Sequence, residues 1–158
     1  MPKTRTILGI SLGTRTIGLA IIRNRQLNDC RVKTFPDKWS EKKQSKIVTF
    51  LSSELHRSHV GVLAIKLPHP IRGSKWLSGL LTEIQSIATS LHIEVHIYYI
   101  ENIKLLCNEI GNKRELGDYI VHLYPEVWNE HEKHQSDKHG YYTKLFEAIA
   151  SAHLSMQK

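Results

Sequence analysis

The chain has 158 residues, of which 41% are hydrophobic, which suits one domain spanning 1–158 that buries a core without disulfides. Its formal net charge is +7: residues 1–75 hold 15 Lys and Arg against 4 acids, and residues 76–158 hold 7 against 11. A basic half of this kind suits a polyanionic partner, because cations that neutralise phosphates release condensed counterions. Cys30 and Cys107 stand far apart with no second ligand at zinc spacing, which argues against a disulfide framework or a zinc ribbon. No apolar run reaches the length of a membrane span. After the basic residues 1–6, the apolar stretch 7–12 is too short, and too interrupted by Gly9 and Ser11, for a signal peptide. The expectation is a soluble, cytoplasmic protein with no membrane partner.

Ile7, Leu8 and Ile10, then Ile17, Leu19, Ala20, Ile21 and Ile22, predict two strands joined by a turn at Gly13, Thr14 and Arg15, with a third strand over 28–35. Pro36 and Asp37 break that strand, Ser40 offers an N-cap, and Ile47, Val48, Leu51 and Leu55 recur at helical spacing. The unbroken apolar run from Val60 to Ile65 predicts a strand buried on both faces, with Lys66 at its exposed end. Pro68 and Pro70 mark a loop. Ser74 then caps a helix whose apolar face is Leu77, Leu80, Leu81, Ile84, Ile87, Ala88 and Leu91. Ile93, Val95 and Ile97 alternate with Glu94 and His96, predicting a last strand with one more exposed face. Helical stripes follow at Ile103, Leu106 and Ile110, and at Leu116, Tyr119, Ile120 and Leu123, where Pro125 ends the helix. After a polar segment over 129–140, Leu145, Ile149, Ala152 and Met156 face inward from a final helix. The order βββαβαβ followed by helices predicts an α/β fold: a mixed sheet, antiparallel meander plus parallel strands, flanked by helices.

The segment Ile7-Leu8-Gly9-Ile10-Ser11-Leu12-Gly13-Thr14-Arg15-Thr16-Ile17-Gly18 resembles the first hairpin of RuvC-type resolvases and YqgF-type ribosomal RNA processing nucleases, of the RNase H-like superfamily. That hairpin reads roughly I-L-G-I-D-x-G-T-x-x-x-G. Eleven of the twelve positions fit, and Ser11 stands where the families carry their first metal-binding Asp. Val62-Leu63-Ala64-Ile65-Lys66 resembles the strand ending in the RuvC catalytic Glu, with Lys66 in that slot. Ile103-Lys104, Gly111-Asn112-Lys113 and Ile120-Val121 resemble the RuvC helices that carry its V-K and G-x-x-K elements. The loop from Leu67 through Pro68 to Ser74 is closer to the G-L-P-x-x-x-x-G turn of YqgF proteins, so both subfamilies stay open.

The last RuvC element is a D-x-x-D pair on a helix, followed by small residues and a His. Its match here runs from Tyr141 to His153 and puts Tyr141 and Lys144, or Tyr142 and Leu145, in the acidic slots. Neither register supplies a carboxylate, so all four ligands that the resemblance implies are replaced. Two-metal phosphodiester cleavage needs oxygen ligands that fix the ions and offset their charge. A lysine ammonium ~4 Å from a divalent ion would instead repel it by ~8 kcal/mol at an effective dielectric of ~20. Glu101, Glu109 and Glu147 are candidate relocated carboxylates, each read more simply as a solvated helix-face charge.

Other constellations are weaker. His131, His134 and His139, interleaved with Glu130, Glu132 and Asp137, match no standard metal spacing. Gly9, Gly13 and Gly18 do not open a helix as phosphate-binding glycines do, and Gly13 reads as a turn residue. Trp39, Trp76 and Trp128 are read as packing residues before base-stacking ones.

Three readings of function remain. The first is a catalytically inactive, RNase H-like nucleic-acid-binding protein, needing no cofactor, whose lysines in former acidic slots attract phosphate. Its candidate contacts to DNA or RNA are Thr14, Arg15, Lys66, Arg72, Lys75, Lys104, Lys113, Arg114 and Lys144. The second is a magnesium- or manganese-dependent endonuclease with displaced ligands, acting on branched DNA or precursor RNA. The third is an interaction scaffold that keeps only the fold. The RuvC resemblance also leaves homodimerisation open.

Overall fold

A meander opens the sheet. Ile7–Ser11 forms β1, Thr16–Arg23 forms β2 and Gln26–Thr34 forms β3, each antiparallel to the one before. The structure, a computed structural model, describes residues 5–68, 75–106, 113–129 and 141–157. Asn24 and Arg25 turn the chain between β2 and β3 with φ of 54° and 64°, a left-handed pair whose twist matches that of the flanking strands. This tight turn pairs Arg23 with Gln26, so β3 begins earlier than the apolar pattern alone suggests.

Ser40 caps α1 (Glu41–Arg57), its hydroxyl accepting from the Lys43 N–H at 3.1 Å. Next come β4 (Val62–Lys66), α2 (Lys75–Ser90) and β5 (Glu94–Tyr98). β4 lies parallel to β1, and β5 parallel to β4, giving the sheet order β3-β2-β1-β4-β5. The chain finishes with α3 (Ile100–Lys104), α4 (Lys113–Leu123), a 3-10 turn at Pro125–Val127 and α5 (Tyr141–Met156). The architecture is the mixed, helix-flanked sheet that the element order predicts. Ser74, Cys107 and Ile110 lie outside the described residues.

The sheet separates two apolar layers. On one side Leu8, Ile10, Leu63 and Ile65 pack against Ile47, Leu51 and Leu55 of α1 and Leu77, Leu80 and Ile84 of α2. On the other, Ile7, Ala20, Val62 and Ala64 meet Leu116 and Ile120 of α4 and Phe146, Ile149 and Ala152 of α5. β1 and β4 are buried at every position, as central strands covered on both faces should be. Glu94 is exposed on the face of β5 expected to be the more open one, but farther along that face the His96 ring and the Tyr98 hydroxyl both reach Ser155 Oγ on α5, at 2.8 and 2.9 Å. A polar residue facing a helix hydroxyl satisfies itself without solvent. No helix among the described residues is long and apolar enough to cross a membrane.

Candidate functional site

Side chains alternate along a strand, so the residues of β1 and β4 that do not face α1 and α2 face α5. Ser11 and Lys66 end their strands as an in-register pair and both fall on the α5 side. The positions around them on that side are small: Gly9, Gly18, Ala20 and Ala64. A Cβ added to Gly9 would overlap the Ala148 carbonyl, and one on Gly18 the Lys144 carbonyl. These glycines serve the close approach of helix to sheet. Gly13 stays in the turn, against the Lys144 side chain.

That close approach lowers Glu147 into the sheet end. The Ser11 hydroxyl donates to Glu147 Oε1 at 2.8 Å, and the Lys66 ammonium lies 3.0 Å from Oε2. Lys144 Nζ lies 3.9 Å from Oε1 and donates to the Leu12 carbonyl at 3.1 Å. Ser11 is 0% exposed, Glu147 5% and Lys66 7%. One carboxylate thus sits between two ammoniums and a hydroxyl, contributed by β1, β4 and α5.

Two expectations need correction. Glu147 is not a solvated helix-face charge, and Lys66 is not exposed: each is buried because the other neutralises it. The two positions three apart that approach Ser11 and Lys66 are Lys144 and Glu147, an i,i+3 pair on one helix face. Leu145 is buried in the core shared with α4, and Tyr142 packs beside it. The cluster therefore joins Ser11, Lys66 and Lys144, which the sequence resemblance places in metal-ligand slots, to Glu147, which it does not. The sequence signal was a single acid inside the otherwise apolar run from Leu145 to Ala150, since a lone charge among buried positions implies a partner.

The residues present do not fit a divalent ion. Glu147 already has a partner on each oxygen, and its single negative charge faces two ammoniums, so an added dication would meet net repulsion. Among the described residues no group of three or more His, Cys, Asp or Glu side chains gathers elsewhere. His131, His134, His139, Glu130, Glu132, Asp137 and Glu109 fall outside those residues. Glu101 is exposed on α3.

The other candidate contacts are dispersed. Thr14 and Arg15 are exposed in the β1–β2 turn directly after Ser11, Lys75 is exposed at the start of α2, Lys104 at the end of α3 and Arg114 in the first turn of α4. Arg72 lies outside the described residues, as do the side chains of Lys113 and Tyr141. The β1–β2 turn is held to the end of β3 by the Phe35 N–H, which donates to the Arg15 carbonyl at 2.7 Å. Thr14, Arg15, Lys66 and Lys144 therefore gather at the carboxyl end of β1 and β4. Trp39 and Trp76 pack on one another, with ring centroids 5.0 Å apart, against the α1–α2 core. Trp128 is 53% exposed.

Farther along α5, His153 Nδ1 and the Tyr124 hydroxyl share a buried 2.8 Å hydrogen bond. Burial, aided by the Arg25 charge, holds the imidazole pKa below its ordinary 6.5. Burial, aided by Glu126, pushes the phenol up to about 12.

No family model and no curated protein matches the chain. Solved structures do. RuvC of Thermus thermophilus, in a structure with a Holliday junction substrate, superposes with a TM-score of 0.69 at 16% identity, covering 94% of this chain and 90% of that one. The yeast mitochondrial Holliday junction resolvase gives 0.67 at 11% identity over 99% and 80% of the two chains. The fowlpox virus resolvase, in complex with Holliday junction DNA, gives 0.57 at 11% identity over 96% and 98%. The fold of this chain is the RuvC-like form of the RNase H-like fold.

Proposed function

We propose that this chain binds nucleic acid at the carboxyl end of its central strands and does not hydrolyse it. The observation that carries the reading is the buried Ser11–Glu147–Lys66 cluster, which fills with an internal ion pair the place where strand ends and final helix meet. Support for a nucleic-acid partner comes from the basic first half of the sequence and from two exposed cations, Arg15 in the turn after β1 and Lys75 at the start of α2. Two structures of like fold hold Holliday junction DNA, which makes a four-way junction the first ligand to try. With Lys144 counted beside it, the cluster carries a net surplus of one positive charge, which favours phosphate close by.

The experiment compares binding and cutting of a four-way DNA junction, duplex DNA and structured RNA. Binding at low salt is expected to persist in EDTA, and magnesium or manganese is expected to yield no product above a buffer control. Metal-dependent cleavage that Glu147→Gln abolishes would overturn the reading in favour of an endonuclease. Failure to bind any of the three polynucleotides at low salt would leave an interaction scaffold.

A further inference from the structure

The amino ends of the central strands carry a second group of cations, at the opposite end of the sheet from the Ser11–Glu147–Lys66 cluster. Arg5 precedes β1, Arg23 ends β2, Arg25 stands in the β2–β3 turn and Arg57 ends α1, and all four are exposed. Contacts join them into one surface. Arg23 Nε donates to Thr6 Oγ1 and its Nη2 to the Ser58 carbonyl, both at 3.0 Å. Arg57, beside Ser58, donates through Nη2 to both Glu54 carboxylate oxygens at 2.9 Å. Arg5 lies beside Gly61 and pairs with Glu94. With Arg31 and Asp29 of β3 included, five guanidiniums face the carboxylates of Glu54, Glu94 and Asp29, a surplus of two positive charges.

A helix carboxyl end attracts cations through its dipole, which accounts for Arg57 in the last turn of α1. It does not account for Arg5, Arg23 and Arg25, which stand at strand ends and in a turn. Arg25 has a left-handed φ of 64°, a conformation that glycine or asparagine adopts more readily, so the turn carries its cation at a conformational cost. The side chains of Arg5 and Arg57 are 62% and 63% exposed, so the core does not need their charge. A guanidinium presents five donors in a planar fork that matches phosphate oxygens two at a time. The contacts that hold Arg23 and Arg57 orient them before a ligand arrives, which lowers the entropy cost of binding.

We infer that this arginine group is a second phosphate-contacting surface, which takes one nucleic-acid duplex while the carboxyl end of the strands holds another, so that a single chain bridges two duplexes. The inference rests on the nucleic-acid reading above. From Arg5 to Ser11 an extended chain covers roughly 20 Å at ~3.3 Å per residue, and the two groups of cations face away from each other. A straight duplex lying across one end does not reach the other.

The test tethers a short duplex to beads, adds the full chain and then a fluorescent duplex of unrelated sequence at low salt, and reads captured fluorescence against beads without protein. The unsubstituted protein should capture the second duplex. Arg5→Gln with Arg25→Asn, in which asparagine tolerates the left-handed turn, should capture about tenfold less while its affinity for the tethered duplex falls by less than about threefold. Arg15→Ala with Lys75→Ala should lose capture as well, because only one surface remains. Should the first double variant not fold by circular dichroism, Arg25→Asn alone is expected to give a smaller loss in the same direction. Retention of the unsubstituted protein on the tethered duplex without capture of the second would overturn the inference and leave the proposed function standing. Full capture by the folded Arg5 and Arg25 variant, as a dimer joined elsewhere would give, would overturn it too. Binding of phosphatidylserine vesicles in place of the second duplex would assign the surface to lipid and likewise overturn it. Failure of the unsubstituted protein to stay on the tethered duplex at all would sink the nucleic-acid reading, and this inference with it.

Discussion

At the residue scale, Glu147 and Lys66 illustrate why a buried pair is costly to break and cheap to replace whole. Lys66→Met would leave the carboxylate with Ser11 and the more distant Lys144, and urea denaturation should show a loss of about 3 kcal/mol, the lower end for breaking a buried pair. Lys66→Met combined with Glu147→Leu should regain most of that loss, because no unpaired charge remains. Equal losses in the single and double variants would mean that the two side chains are not energetically coupled. His153 supplies the pH dependence. Its folded pKa lies below 6.5, held there by burial and Arg25, so below pH 6.5 the unfolded chain takes up a proton that the folded chain refuses. Stability is then complete above pH 6.5 and falls as acid is added. Tyr124 acts at the other end: with its phenol raised from 10.0 to about 12, stability is complete below pH 10.0 and declines as pH rises through that window. Urea midpoints across the pH range should fall on both flanks, and His153→Gln should flatten the acid flank from pH 6.5 downward.

At the scale of single elements, capping and close approach give the sharpest tests. Ser40→Ala removes the hydroxyl that receives the Lys43 N–H and should cost about 1 kcal/mol in thermal or urea unfolding. His92 follows α2 with φ of 57°, a left-handed conformation that an L side chain resists, so His92→Gly should gain about 0.5–1 kcal/mol. Gly18→Ala has the opposite character: its methyl would meet the Lys144 carbonyl of α5, backbone against backbone, and soluble expression should drop sharply. These elements also show what the sequence could convey. Ser40, the apolar stripe of α1 and the uninterrupted run of β4 announce themselves through spacing and composition alone. The direction in which α5 presents Glu147 does not, since that helix is buried continuously from Leu145 to His153 and has no polar face to fix its rotation. Ser11 and Lys66 stood out as departures from a familiar pattern, but their partner became visible only once helix and sheet were brought together.

At the scale of the whole molecule, the charge distribution separates two kinds of lysine and arginine. Lys66 is neutralised by Glu147, so its removal should be felt in stability before it is felt in ligand affinity. Arg15 and Lys75 are exposed, and if each meets one phosphate, their joint replacement by Ala should shallow the log–log salt dependence of nucleic-acid binding by roughly 1 to 2 units while urea midpoints stay put. An unchanged slope would move the contact surface away from the carboxyl end of the strands. The layering of the sheet has a further consequence, in the time course of synthesis. α5 packs across β1, β2 and β4, elements made more than seventy residues earlier, and it provides much of the second apolar layer. A nascent chain that has reached residue 140 therefore carries every strand of the sheet but leaves Ile7, Ala20, Val62 and Ala64 without the part of their cover that α5 supplies. The native sheet has to wait for the last helix to emerge, and contacts of such long sequence separation close slowly. Until then the partly made chain presents to the cell an apolar surface of the kind that chaperones hold.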